Sequence, residues 1–443
     1  MDPMLILANS TQRTIGLVIA LTVGVAFVVY VLVNVFSTGK DEIGAELELA
    51  PNRKPYFDDA QLETKKLDLS LAFGVGTLAI IALALPLYWL GEPGRHEGFV
   101  DKVDAAWVSR GGEQYEALCA QCHGANGVGG AAAYTVLDEQ GRFVTTASWS
   151  APALNTIFYR YSEEEITYVL DWGRPQSPMP AWGGPGGGPL TSQQLEELVT
   201  WMRTIQLTPE EMQANVQQGL RDAVFAIPRE ENPELFETAS LDDGASAADI
   251  VAAREAQREI YAVYNELIPG FGDLLEEEAE LTASGDASIE EIEANRTAQQ
   301  EALDGYLVTL EQEDIEAYGG LLFNNSASGG AYNCARCHTA GWSWGSGAVL
   351  EASPELEGLV PAEIPGSGGF GPSLIGVSDS FASPESMQRF ISGGCENNLQ
   401  YGLNGVCDGG QMPGYGQSAT DLSGATLTED QIAAIVAYER GLE

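Results

Sequence analysis

Two C-x-x-C-H runs, at 119–123 and 334–338, constrain this chain more than any other feature, because each opens the same succession of elements. The first reads CAQCHG, then APALN (151–155), a helix start at Ser162, SPMPAWG (177–183) and a last helix from Thr191. The second reads CARCHT, then GPSLIG (371–376), a helix start at Ser383, QMPGYG (411–416) and a last helix from Thr428. One order used twice predicts two copies of one small module. The helix starts are written in side-chain chemistry. Ser162 with Glu165, Thr191 with Gln194 and Thr428 with Gln431 form the S/T-x-x-E/Q box, in which cap and third residue satisfy each other's backbone donors. Pro384 follows Ser383 at the first helical position. In the last helix Ile432, Ile435, Val436 and Tyr438 leave an apolar stripe that must pack on something.

A C-x-x-C-H run places two thiols and an imidazole on one turn, where the thiols can add to the vinyl groups of haem while the imidazole binds its iron. A zinc site would need a fourth protein ligand that neither run supplies, and a thioredoxin-like site would need a strand before the motif. The expected cofactors are therefore two covalently bound haem c groups, one on Cys119, Cys122 and His123 and the other on Cys334, Cys337 and His338. With histidine nearly exhausted, the sixth iron ligand is expected to be a methionine thioether. Met179 and Met412 each precede a proline and a Gly-rich turn that can hold sulfur over iron, whereas Met202 and Met387 fall inside predicted helices as core filling. Pro152 with Leu154, and Pro372 with Leu374, are expected to line the proximal side, the proline carbonyl accepting the axial histidine's other N–H. Iron held by His123 and Met179, and by His338 and Met412, has both axial positions filled, which suits electron relay and leaves no catalytic site. Trp172, Trp182, Trp342 and Trp344 are expected near the haems, as core or surface residues without a separate role.

From 15 to 36 the sequence is almost purely apolar, long enough to cross a hydrocarbon core of about 30 Å. A signal peptide would have a shorter apolar core followed by a cleavage site. A second span is expected over 69–90, with Tyr88 and Trp89 at its far end and Pro86 as a late kink. The loop at 37–68 carries Lys40, Arg53, Lys54, Lys65 and Lys66, which places it in the cytoplasm; the tail at 1–14 and everything from Gly91 onward then lie outside. His96 falls just beyond the second span as a juxtamembrane residue. In that oxidising compartment Cys395 and Cys407 are expected to form a disulfide closing a short loop, worth about 3 kcal/mol, with two free thiols as the alternative.

The formal charge of −43 excludes nucleic acid as a partner, since phosphate binding needs a basic face. Between Thr208 and Gly320 there are 28 acidic residues against 5 arginines and no lysine. Ile250, Ile260, Val263, Tyr264 and Leu267 recur at helical spacing, as do Ile289, Ile292, Leu303, Tyr306, Leu307 and Leu310, with Pro269, Gly270 and Gly272 between the two sets. The expectation is an acidic helical hairpin inserted at 208–316 between a first module at 91–207 and a second at 317–443.

The modules resemble class I cytochrome c domains: a helix before CxxCH, a P-x-L loop, an M-P loop and a C-terminal helix. That resemblance implies a mainly α chain, with two N-terminal transmembrane helices followed by tandem cytochrome c domains around an acidic helical insert. The loop ELELAPNRKPYFDD (46–59) and the exit LPLYWLGEPGR (85–95) resemble N-terminally anchored c-type cytochromes of actinobacteria that accompany a menaquinol-oxidising cytochrome bc complex. The familiar dihaem subunit of that group differs in having a single C-terminal anchor. The resemblance implies cytochrome b and iron–sulfur subunits as partners, with membrane lipid around the spans, and electrons passed towards a terminal oxidase or soluble acceptor. The haem c subunit of a cbb3-type oxidase or of a membrane dehydrogenase is the alternative. A dihaem peroxidase would need an open sixth position, and a scaffold would act through the acidic insert.

Overall fold

A computed structural model of the chain describes residues 18–19, 21–33, 63–64, 67–241, 245–395 and 412–442. Its contacts divide it into two units, Met1–Ala106 and Trp107–Glu443.

In the first unit lie helix α1 (Leu21–Val33) and most of the apolar part of helix α2 (Leu67–Leu118). Among the described residues α2 is the one helix long and apolar enough to cross a membrane; α1 is apolar but shorter. Of the first span expected over 15–36, the ends lie outside the described residues, as does nearly all of the 37–68 loop. Phe73 and Ile80 on α2 are 78% and 68% exposed, an apolar exterior that suits hydrocarbon better than water. Pro86 and Pro93 sit inside α2 without ending it. The apolar stretch and the helix that leads into the first C-x-x-C-H run are one continuous element.

The second unit is built on two close helix crossings of one design. Helix α3 (Ala120–His123) carries the first histidine, and a hairpin of β1 (Gly130–Leu137) and β2 (Phe143–Ala151) follows it. Next come α4 (Ile157–Arg160), α5 (Glu163–Trp172) and α6 (Ser192–Thr204). The end of α2 crosses α6 so tightly that a Cβ on Gly111 would lie 2.0 Å from Glu197 O. Tyr115 stacks on Trp201 with ring centroids 4.2 Å apart, and Arg110 pairs with buried Glu197 at 2.7 Å. Far along the chain, α12 (Ile315–Phe323) meets α17 (Glu429–Arg440) in the same way: a Cβ on Gly319 would lie 2.0 Å from Ala434 O, and Phe323 faces Tyr438 at 5.2 Å. Between them lie α13 (Ala327–Gly330), α14 (Ala335–His338), α15 (Ser346–Ala352) and α16 (Pro384–Gly393). Reciprocal capping boxes start α5 at Ser162, α6 at Thr191 and α17 at Thr428.

The hairpin is an element that the mainly helical expectation left out. It packs its aromatic side chains on the far half of the unit, Tyr134 against Trp344 and Trp149 against Phe370, each at 6.0 Å. The acidic region is also richer than the expected hairpin of two helices. It holds α7 (Pro209–Glu231), α8 (Pro233–Ala239), α9 (Ala247–Leu267), α10 (Phe271–Ser284) and α11 (Ile289–Glu313). Met212, Val216, Leu220 and Val224 repeat every four residues along α7 and are all fully buried, so they join one core with Leu322, Phe323 and Ile435. Arg221 ties α7 to Asp304 of α11 at 2.6 Å. The carboxylates stay on the solvent face while the apolar stripes merge with the second module.

Gly319→Ala is expected to cost about 1–3 kcal/mol, at the upper end because the clash is with backbone. Gly305→Ala, at an exposed helical position with nothing within 4 Å, should stabilise by about 0.5–1 kcal/mol. Urea unfolding of the two variants checks the pair, and equal effects would contradict the crossing.

Candidate haem sites

The first site grows from the helix crossing. Tyr115, buried where α2 meets α6, donates from its hydroxyl to Gly124 O at 2.7 Å and so fixes the chain just past the histidine. Leu154 N donates to Gly127 O at 2.8 Å, drawing the P-x-L loop under the same turn. His123 Nδ1 then lies 2.8 Å from Pro152 O. A carbonyl only accepts, so Nδ1 carries the proton and Nε2 keeps its lone pair for a metal. Burial pushes His123 below its ordinary value, which favours that neutral form.

A cavity of about 310 Å³ opens beside this imidazole. Cys119, Cys122, His123, Leu154 and Met179 all line it, as does Met202 from α6. Arg174 N donates to Met179 O at 3.1 Å, and Met179 N donates to Ser177 Oγ at 3.2 Å, so the M-P loop is held by its own backbone. Of the tryptophans, Trp182 borders the cavity while Trp172 lies half exposed at the end of α5. Arg160 is 5% exposed and its Nε has no hydrogen-bond partner, although it too lines the cavity. Thiols, imidazole, thioether and an orphaned guanidinium around one largely apolar space fit haem c, a flat apolar group with two carboxylates.

The second site repeats these relations. His338 Nδ1 lies 2.8 Å from Pro372 O, and burial pushes this imidazole down as well. Leu374 is buried in the core that includes Cys334 and Phe390, with Met412 packed against it. Met387 of α16 is fully buried in that core. Cys395 N donates to Met412 O at 2.9 Å, fastening the second M-P loop to the end of α16. Cys395 is disulfide-bonded, Cys407 lies outside the described residues, and Cys119, Cys122, Cys334 and Cys337 take part in no disulfide. Trp342 and Trp344 occupy the turn after His338, with Arg336 over the Trp342 ring at 5.6 Å.

The sites differ at one buried position. Counting from the caps Thr191 and Thr428, Met202 of α6 corresponds to Glu439 of α17. Glu439 is 3% exposed and hydrogen-bonds Cys334; burial pushes its carboxyl up to about 8. Sequence reading passed over it, yet Ile432, Ile435, Val436 and Glu439 follow one helical stripe, which was the available signal. Arg160, Arg174 and Arg336 were also missed, and no local pattern marks them.

A carboxyl that keeps its proton in the fold but releases it near 4.5 when unfolded makes the fold progressively less stable as pH rises from about 4.5 to about 8. Glu439→Gln should remove that slope. Urea midpoints at pH 5, 7 and 9 read it, and parallel curves for both proteins would acquit Glu439.

No curated protein and no solved structure matches the chain. Residues 108–206, which contain Cys119, Cys122, His123 and Met179 of the first site, match the family model of cytochrome c. The chain thus carries a cytochrome c domain, of the family whose haem c is covalently bound and whose work is electron transfer.

Proposed function

We propose that this is a membrane-anchored dihaem cytochrome c, relaying electrons from a quinol-oxidising cytochrome bc-type core towards a terminal oxidase or soluble acceptor. The observation that carries the reading is the recurrence of one site. At both C-x-x-C-H runs the histidine Nδ1 lies 2.8 Å from the carbonyl of the following P-x-L proline, beneath a glycine-mediated helix crossing. Haem iron, when bound, supplies reversible one-electron chemistry. The chain's part would be to hold it: His123 with Met179 and His338 with Met412 would bind the iron, and the paired cysteines would anchor the porphyrin as thioethers. Iron so held by protein would offer no place to a substrate and would supply electron transfer alone. The apolar walls keep water from the site, which together with thioether ligation raises the potential.

The anchor is read as two passes, over 15–36 and 69–90, with the 37–68 loop in the cytoplasm and both haem modules outside. Support comes from α2, which is long and apolar enough to span, and from the basic residues of that loop. A quinol-oxidising core fits a donor that releases electrons at the outer membrane face, where a tethered relay collects them without diffusing.

Acid-denatured protein should retain its pigment at two haems per chain, and a C334A/C337A variant should retain one; an unchanged ratio in that variant would remove the second site. Purification from native membranes should co-isolate a cytochrome b. Its reproducible absence would refute the bc assignment while leaving the haem reading intact.

A further inference from the structure

Three guanidinium groups converge on the first cavity, and one of them comes from the other site. Arg160 and Arg174 approach it from α4 and from the loop after α5, each within 5.7 Å of the Tyr161 ring. Arg336 reaches it from between Cys334 and Cys337, with Cys337 beside it on the wall. Its guanidinium is aimed by main-chain carbonyls: Nη2 donates to Ser150 O at 2.8 Å and to Gly329 O, and Nε donates to Gly330 O at 3.4 Å. Among the described residues none of the three forms an ion pair. The carboxylate of Glu165 also borders the cavity and attracts Arg174 without forming an ion pair with it, while one of its oxygens accepts from Ser162 N at 3.0 Å as a helix cap.

In a chain with 64 acidic and 21 basic residues, three arginines facing one apolar space without a carboxylate partner are a costly arrangement. An anion that enters with the cofactor resolves it. Haem carries two propionates, and planar guanidinium groups suit carboxylates better than any other side chain. We propose that Arg336, although it belongs to the second C-x-x-C-H run, completes the propionate-binding site of the haem attached at Cys119 and Cys122. The assignment rests on a haem at the first site and does not require one at the second. It makes Arg336 a residue shared by the two sites: its side chain holds one haem's carboxylates while its backbone joins the two cysteines of the other. A cation placed there also favours the reduced state of the first haem, whose net charge is one unit more negative than that of the oxidised state.

Redox titration of the full-length haem protein, followed by its visible spectrum, tests this on R336Q, R336K and R174Q. The first haem's wave is identified as the one displaced by Met179→His. Its midpoint should fall in R336Q and in R174Q, and should recover part of the loss in R336K, which keeps the charge but not the fork. An unmoved first wave in both glutamine variants would overturn the proposal. So would movement of the second wave alone, because Arg336 would then serve only as a clamp on Ser150 and Gly329. Failure of the cytochrome reading is separately visible: the wild-type protein would then carry no covalent haem, which the pigment retained after acid denaturation reports.

Discussion

Both sites depend on a hydrogen bond from a histidine to a proline carbonyl. An imidazole on a short turn after two cysteines has several rotamers and two tautomers; the bond at 2.8 Å selects one of each and leaves Nε2 with a free lone pair. Proline at the acceptor position has φ fixed by its ring, so less chain freedom is lost when its carbonyl meets the imidazole. For the loop to reach the imidazole, the turn after it must be anchored, and for that the terminal helices must touch. Gly111 and Gly319 supply the contact by having no Cβ. At the first site crossing, turn, loop and imidazole therefore form one chain of dependence; at the second the crossing and the histidine–proline bond recur, with Phe323 in the place of Tyr115.

What could be read from the sequence was what is local. The boxes at Ser162, Thr191 and Thr428 involve residues three apart, and both the cysteine spacing and the M-P turns are contained within a few positions. The β hairpin escaped because its first strand opens with Gly130 and three alanines, which have weak strand preference; the alternation shows only from Tyr134 and Val136 onward. The acidic region was recognisable as helical from its apolar spacing. The number of helices was not, since α7 declares itself through packing against partners distant in sequence. The convergence of Arg160, Arg174 and Arg336 belongs wholly to tertiary structure, and no spacing rule can report it.

The two sites share a plan and differ in electrostatics. The first gathers positive charge from three arginines, and the second encloses a carboxyl at Glu439 where the first has Met202. Burial makes both choices consequential: the guanidinium charges are little diluted by water, and the Glu439 carboxyl keeps its proton.

The hairpin also bears on how the molecule is made. Its aromatic contacts are to Trp344 and Phe370, and the guanidinium that bonds Ser150 O comes from 186 residues further along. Contacts of such separation form late in folding, after the intervening chain has been ordered. The wall of the first cavity that Trp149 and Arg336 share is thus among the last parts of the fold to be completed.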